Sequence, residues 1–183
     1  MSRVLKYGAT AKWLHWLIAV PMILMLMLIL APGMEDHPIE QRQETIMGHA
    51  GLGTLILVLM LIRWPWRLTH QPPGPTANMS PWQIQLARWM HYALYILIPL
   101  QVIFGVLQAM YITDYEVLAF GAINYSAWGA DDAVMARVFH ICHSINSKLL
   151  MLLVLIHVAA AFYHHFIQKD VVLKRMLPFG KVE

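Results

Sequence analysis

Histidine is the residue type most out of place in this chain. There are ten, as many as all aspartates and glutamates together, in a 183-residue sequence that is 59% apolar. His143 and His157 stand fourteen positions apart. On a helix that is about 1400°, roughly 40° short of four full turns, with a rise of ~21 Å. Both imidazoles therefore leave nearly the same side of one helix at two depths. His15 and His49 fall on other apolar stretches, His15 at the depth of His157 and His49 at the depth of His143. Two facing imidazoles per level form a donor set for axial ligation of haem iron. Neutral imidazole adds no net charge of its own, and two of them leave no open position, so the chemistry is electron transfer and not oxygen binding. Cys142-His143 is only half of the C-x-x-C-H attachment motif and there is no second cysteine, so the haem would be a non-covalent b type. Other readings stay open. A lone membrane histidine commonly bonds helix to helix. Zinc gathers three or four ligands at one level. The 13 methionines, in runs such as Met22, Met25 and Met27, read as apolar filling and not as copper ligands.

The elements that position these residues follow from composition. Only 13% of residues are charged and mean hydropathy is +0.56. A soluble monomer or a disordered chain is a poor fit, and one cysteine excludes a disulfide scaffold. An all-α integral membrane four-helix bundle remains, as a single domain over residues 1–183. Its spans are expected at about 13–31, 48–66, 88–111 and 143–167. Pro21 and Pro99 lie inside spans, where proline is tolerated. Span one contains His15 and lacks a small-x-small cleavage site, so it is expected to be retained. On this layout His91 opens span three, His140 joins His143 at the start of span four, and His164 and His165 end that span. His37 and His70 are loop residues.

Charge sets the orientation. Arg3, Lys6, Lys12, Arg63, Arg67, Arg88, Lys169, Lys174, Arg175 and Lys181 gather on one side, ten of the 13 basic residues. Eight of the 10 acids lie on the other side, with Arg42, Arg137 and Lys148. The positive-inside rule then puts both termini in the cytoplasm. Six of the seven tryptophans (Trp13, Trp16, Trp64, Trp66, Trp82 and Trp89) fall near the same ends, as an interfacial belt does. The net charge of +3 reflects this distribution, and no nucleic-acid partner is expected. Pro72-Pro73-Gly74-Pro75 marks a tight connection, and the acidic segment 113–136 is the longest outer one, with room for a short surface helix.

Taken together, the residues resemble the prokaryotic cytochrome b561 family, within the wider di-haem b-type cytochromes. The likeness covers nearly the whole chain. It rests on Tyr7 with Leu14-His15-Trp16, on Gly48-His49-x-Gly51 with Arg63, on the proline run, and on His91-Tyr92-x-Leu94-Tyr95. It continues through His143, His157-x-Ala159-Ala160-Ala161 and the closing HHFIQKDVVLKRML. The resemblance implies a bacterial inner-membrane bundle holding two b haems, with axial ligands His15, His49, His143 and His157 and with quinone, such as ubiquinone, as redox partner. It also makes His91 a family feature near the cytoplasmic haem, as rival ligand or propionate partner. Some members resemble superoxide oxidases that reduce ubiquinone, although an acidic outer face is a poor lure for an anion.

Several expectations follow. Electrons pass between an unknown periplasmic donor and quinone. His164, nearly two turns past His157, is the candidate quinone contact, against the reading of a snorkelling interfacial histidine. Arg63, Arg67 and Lys12 inside, and Arg137 and Lys148 outside, are candidate propionate partners. His140 reads as a surface residue. The main alternative is a membrane anchor passing electrons for a separate dehydrogenase or hydrogenase; a non-redox histidine-lined transporter is a third reading. Lipid is the surrounding partner, and a homodimer through lipid-facing surfaces has no motif behind it.

Overall fold

The structure, a computed structural model, describes residues 6–29, 38–76, 79–112 and 115–179. Four long helices dominate: α1 (Ala9–Ile29), α2 (Ile39–Thr69), α3 (Pro81–Met110) and α4 (Ala133–Phe162). Each is long and apolar enough to cross a membrane. Their outer surfaces are apolar, with Leu17, Leu24, Leu61, Ile96, Leu152 and Leu155 among the exposed side chains. In water such a surface would aggregate; in lipid it is the solvated face. The protein is an all-α membrane four-helix bundle.

Helices and apolar stretches do not have the same length. α2, α3 and α4 begin seven to ten residues before the apolar runs at 48, 88 and 143. The added turns of α2 are polar, with Glu40, Arg42 and Glu44, whereas those of α4 are mostly apolar and broken by Arg137 and His140; local chemistry starts α3 and α4. At α3, Pro81 sits in the first turn and the Ser80 N–H donates to Gln83 Oε1 at 2.9 Å. At α4, Asp132 Oδ1 accepts from the Val134 and Met135 N–H groups, each at 3.0 Å. His49, His91 and His143 consequently sit well inside their helices.

α1 packs along α2, α3 along α4, and α2 also meets α3; among the described residues α4 makes no comparable backbone approach to α1 or α2. Side chains fill that space. At mid-height Ile18 and Met22 of α1, Ile56 and Met60 of α2, Ile98 of α3 and Leu150 of α4 form a buried apolar layer. Leu150 and Met60 are each only 2% exposed.

Two small caps close the ends. At the acidic end, the described residues of the connection after α3 form no surface α-helix. They fold as a hairpin of β1 (Leu118–Ala119) and β2 (Ile123–Asn124), followed by a 3-10 turn at Ser126–Trp128. Val117, Ala119 and Tyr125 pack with Ala109 of α3 over Ile46 and Ala50 of α2. At the basic end, α4 runs into a π-turn, Tyr163–Ile167, and then a short α5, Val172–Met176. α5 is strapped to α1: the Lys12 Nζ donates to the Leu177 carbonyl and the Trp16 Nε1 to the Met176 carbonyl, both at 2.9 Å.

Candidate functional site

The bundle brings the histidines together at two levels, one on each side of the apolar layer. Nearer the acidic end, the rings of His49 from α2 and His143 from α4 have centroids 6.0 Å apart, at 64°. Nearer the basic end, His15 from α1 and His157 from α4 are 6.3 Å apart, at 70°. A metal between two imidazoles, with bonds of about 2.0–2.1 Å and about 1.1 Å more to each ring centre, sets the centroids roughly 6.3 Å apart. Both pairs fit a bis-imidazole iron. His91 of α3 also approaches His157, at 5.4 Å and 89°, about an ångström too close for the same bridge. Among the described residues no group of three or more His, Cys, Asp or Glu side chains forms a metal cluster.

Each level has its own supporting polar groups. His143 is held by α3: its Nδ1–H donates to the Gln101 carbonyl at 3.0 Å. Such a bond fixes the tautomer and leaves Nε2 without a proton, as an axial ligand would need it. That Nε2 lies 3.0 Å from the Gln101 side-chain amide. Asn146, buried at mid-helix, donates to Gln101 Oε1 at 2.7 Å and to the Leu97 carbonyl at 3.0 Å. The imidazole lies directly against Gly105, where an added Cβ would stand 3.0 Å from His143 Cε1. At the other level the His91 Nδ1 is bonded to the carbonyl of Ala87, one turn back on its own helix. Arg63 donates through Nε to the Tyr95 hydroxyl at 3.0 Å and sits 5.6 Å from that ring's centre. It is also within electrostatic reach of His15, His91 and His157.

Basic groups converge beside this second level. Burial pushes the Tyr7 phenol above its ordinary range, while Arg67, then Arg63 and Arg175, act in the opposite direction. Arg175 donates to the Gly74 carbonyl at 2.7 Å, which ties α5 to the proline-rich connection. Lys12, a propionate candidate, is buried and gives one of its three ammonium donors to the Leu177 carbonyl.

The remaining histidines separate clearly. His164 is 8% exposed, not snorkelling, and its Nδ1 lies 2.6 Å from Asp170 Oδ2. His140 is exposed at the acidic end beside Gln108, with Arg137 and Lys148 also exposed. His70 stacks on Trp66 at 3.8 Å. His37 lies outside the described residues. An added Cβ at Gly51 would stand 3.4 Å from the ring of Phe120. Asp170, Gln101, Asn146 and Gly105 were not singled out from the sequence. An uncharged polar residue in mid-span is a signal that could have marked Gln101 and Asn146. Asp170 has no such signal, since it reaches His164 only through the π-turn.

Four apolar helices around opposed histidine pairs define a membrane b-type cytochrome. The chain belongs to the prokaryotic cytochrome b561 family, whose model matches residues 6–179. It is 31% identical over 175 residues to cytochrome b561 homolog 2 of Escherichia coli K12, covering 94% of this chain and 91% of the relative. It is 28% identical over 173 residues to a protein of Yersinia pestis named probable superoxide oxidase CybB, covering 94% and 96%. A second E. coli K12 protein, cytochrome b561 homolog 1, is 27% identical over 133 residues, covering 73% and 74%. As a member of this family the chain is a membrane cytochrome that binds b-type haem and transfers electrons.

Proposed function

We propose that the chain is a two-haem electron carrier between a donor at its acidic face and ubiquinone at its basic end. His49 and His143 would hold one haem, His15 and His157 the other. The observation that carries this reading is the pair of centroid distances, 6.0 and 6.3 Å, each matching one iron between two rings. Bound haem supplies a reversible one-electron iron couple. The chain's own residues do the rest. Gln101 orients His143 through its carbonyl. Arg63, with Arg67 behind it, offers positive charge for propionates. The apolar layer excludes water between the levels. His164 is the quinone contact at the basic end. His91 supports His157 from α3 and is the rival ligand there. The proposed setting is a bacterial inner membrane with both termini in the cytoplasm.

Reduced-minus-oxidised spectra of the purified protein test this. His49→Ala and His143→Ala should each remove the same half of the α-band, His15→Ala and His157→Ala the other half. If His157→Ala keeps full amplitude while His91→Ala loses half, the ligand at that level is His91. A wild-type protein with no b-type α-band would sink the reading.

The name of the Yersinia relative favours a second, narrower reading: oxidation of superoxide coupled to ubiquinone reduction. Glu116, Asp131 and Asp132 at the acidic end would repel that anion. Superoxide-driven haem reduction that slows at low salt and recovers at high salt would reconcile the two, and absence of reduction would remove superoxide as donor. The membrane-anchor alternative requires copurification with a soluble dehydrogenase and inactivity toward small donors.

A further inference from the structure

Resting on the reading of quinone at the basic end, we propose that His164 and Asp170 form one proton-transfer unit, in which Asp170 is the positioning residue. The geometry is unusually complete for a membrane boundary. Both side chains are buried, at 11% and 6% exposure, with Nδ1 and Oδ2 2.6 Å apart. Asp170 is fixed three ways: its backbone N–H donates to the His164 carbonyl at 3.0 Å, its Oδ2 meets the imidazole, and its Oδ1 accepts from the Val172 N–H at 2.9 Å. The contact depends on the π-turn and on Lys169, whose φ of 53° reverses the chain. An α-helix continued through this point would carry Asp170 away from His164. A residue in the left-handed region costs energy, and here it places a carboxylate on one imidazole nitrogen.

The consequence is chemical. Nδ1–H is committed to the carboxylate, so Nε2 is the working atom. With His164 protonated, Nε2–H donates to a quinone carbonyl, and Asp170 balances the imidazolium charge. Quinone reduction consumes two electrons and two protons. The electrons would arrive singly, from the one-electron couple that bound haem supplies. The Nε2–H bond breaks as the quinone O–H bond forms, which leaves a neutral imidazole still bonded to Asp170. Water at the interface supplies the second proton, to the other carbonyl, and then recharges the imidazole. In the reverse direction neutral Nε2 accepts the quinol proton. The neighbourhood also shows unsatisfied polar groups. The buried side-chain atoms without a partner among the described residues are Thr76 Oγ1, His165 Nδ1, Gln168 Oε1 and Arg175 Nε. All four lie at this end of the bundle, in the π-turn region, in α5 and in the connection that Arg175 grips.

The test uses the full-length, haem-loaded protein and a short-chain ubiquinol as reductant, followed by haem reduction in a stopped flow. Asp170→Asn keeps the oxygen that accepts from Val172 but removes the charge. It should lower kcat by about tenfold or more, with KM within about twofold and an unchanged haem spectrum. Asp170→Glu should recover at least about a third of the rate. Equal kcat in wild type and Asp170→Asn overturns the proposal, as does a Glu variant as slow as the Asn variant. Should Asp170→Asn lose its haem, the Glu variant decides alone: retained turnover supports the unit and lost turnover overturns it. A wild-type protein that exchanges no electrons with ubiquinol would instead overturn the quinone reading, and the unit with it.

Discussion

His143 can lie where it does only because residue 105 has no side chain. A Cβ there would stand 3.0 Å from Cε1 and 3.2 Å from Nδ1 of the imidazole, tighter than the ring can accept without tilting. Because Nδ1 is pinned to the Gln101 carbonyl, a tilt costs that bond as well. Gly105→Val should therefore remove the absorbance of the acidic-end haem and leave that of the basic-end haem in place. An unchanged α-band would show that the ring has room this geometry denies. The residue scale is also where the sequence was most and least informative. The four facing histidines were legible because a helix is a rigid ruler, and fourteen positions leave little freedom in angle. Gly105 and Gln101 were not, since their roles depend on how α3 rotates against α4. Asp170 was hidden behind a turn that breaks helical spacing, although the stretch containing it carries the family likeness.

Among the elements, the acidic-end hairpin is the least anticipated from sequence. Its strands are two residues each and its pattern is too short for any periodicity to register. Its attachment is specific: Thr54 donates its one hydroxyl proton to the Ala50 carbonyl at 2.7 Å, so the Tyr125 hydroxyl, 2.8 Å away, must donate to Thr54. Phe120, at a φ of 56°, turns the hairpin and packs against Gly51. Tyr125→Phe should weaken the cap by about 0.5–1.5 kcal/mol without disturbing the helices. Hydrogen exchange at residues 115–128 should then quicken severalfold while the α2 and α3 amides stay as slow as in wild type. Equal exchange in both proteins would mean that apolar packing alone holds the cap. The long helices were legible in number from apolar runs, and their first turns were not, because caps at Ser80 and Asp132 decide where α3 and α4 start.

At the scale of the whole molecule, polar chemistry occupies two levels and two ends, and a dry layer lies between. Ile18, Met22, Ile56, Met60, Ile98 and Leu150 offer no group that can carry a proton. An electron handed from one histidine level to the other would thus travel without a compensating cation over most of the ~21 Å separating His143 from His157. The layer then acts as the dielectric of a capacitor, and the exchange is a current across it. A full membrane crossing is worth about 2.3 kcal/mol per charge at 100 mV, so this partial one should respond by roughly 1.5 kcal/mol. In vesicles with the protein uniformly oriented, an imposed diffusion potential should shift the balance of reduced haem between the two levels by about tenfold per 100 mV, and reverse with its sign. A balance indifferent to the potential would mean that protons follow the electron through the layer. Leu150 and its neighbours would in that case be insulating far less than their burial suggests. If the shift appears, six ordinary apolar side chains make this cytochrome sensitive to the energy state of its own membrane.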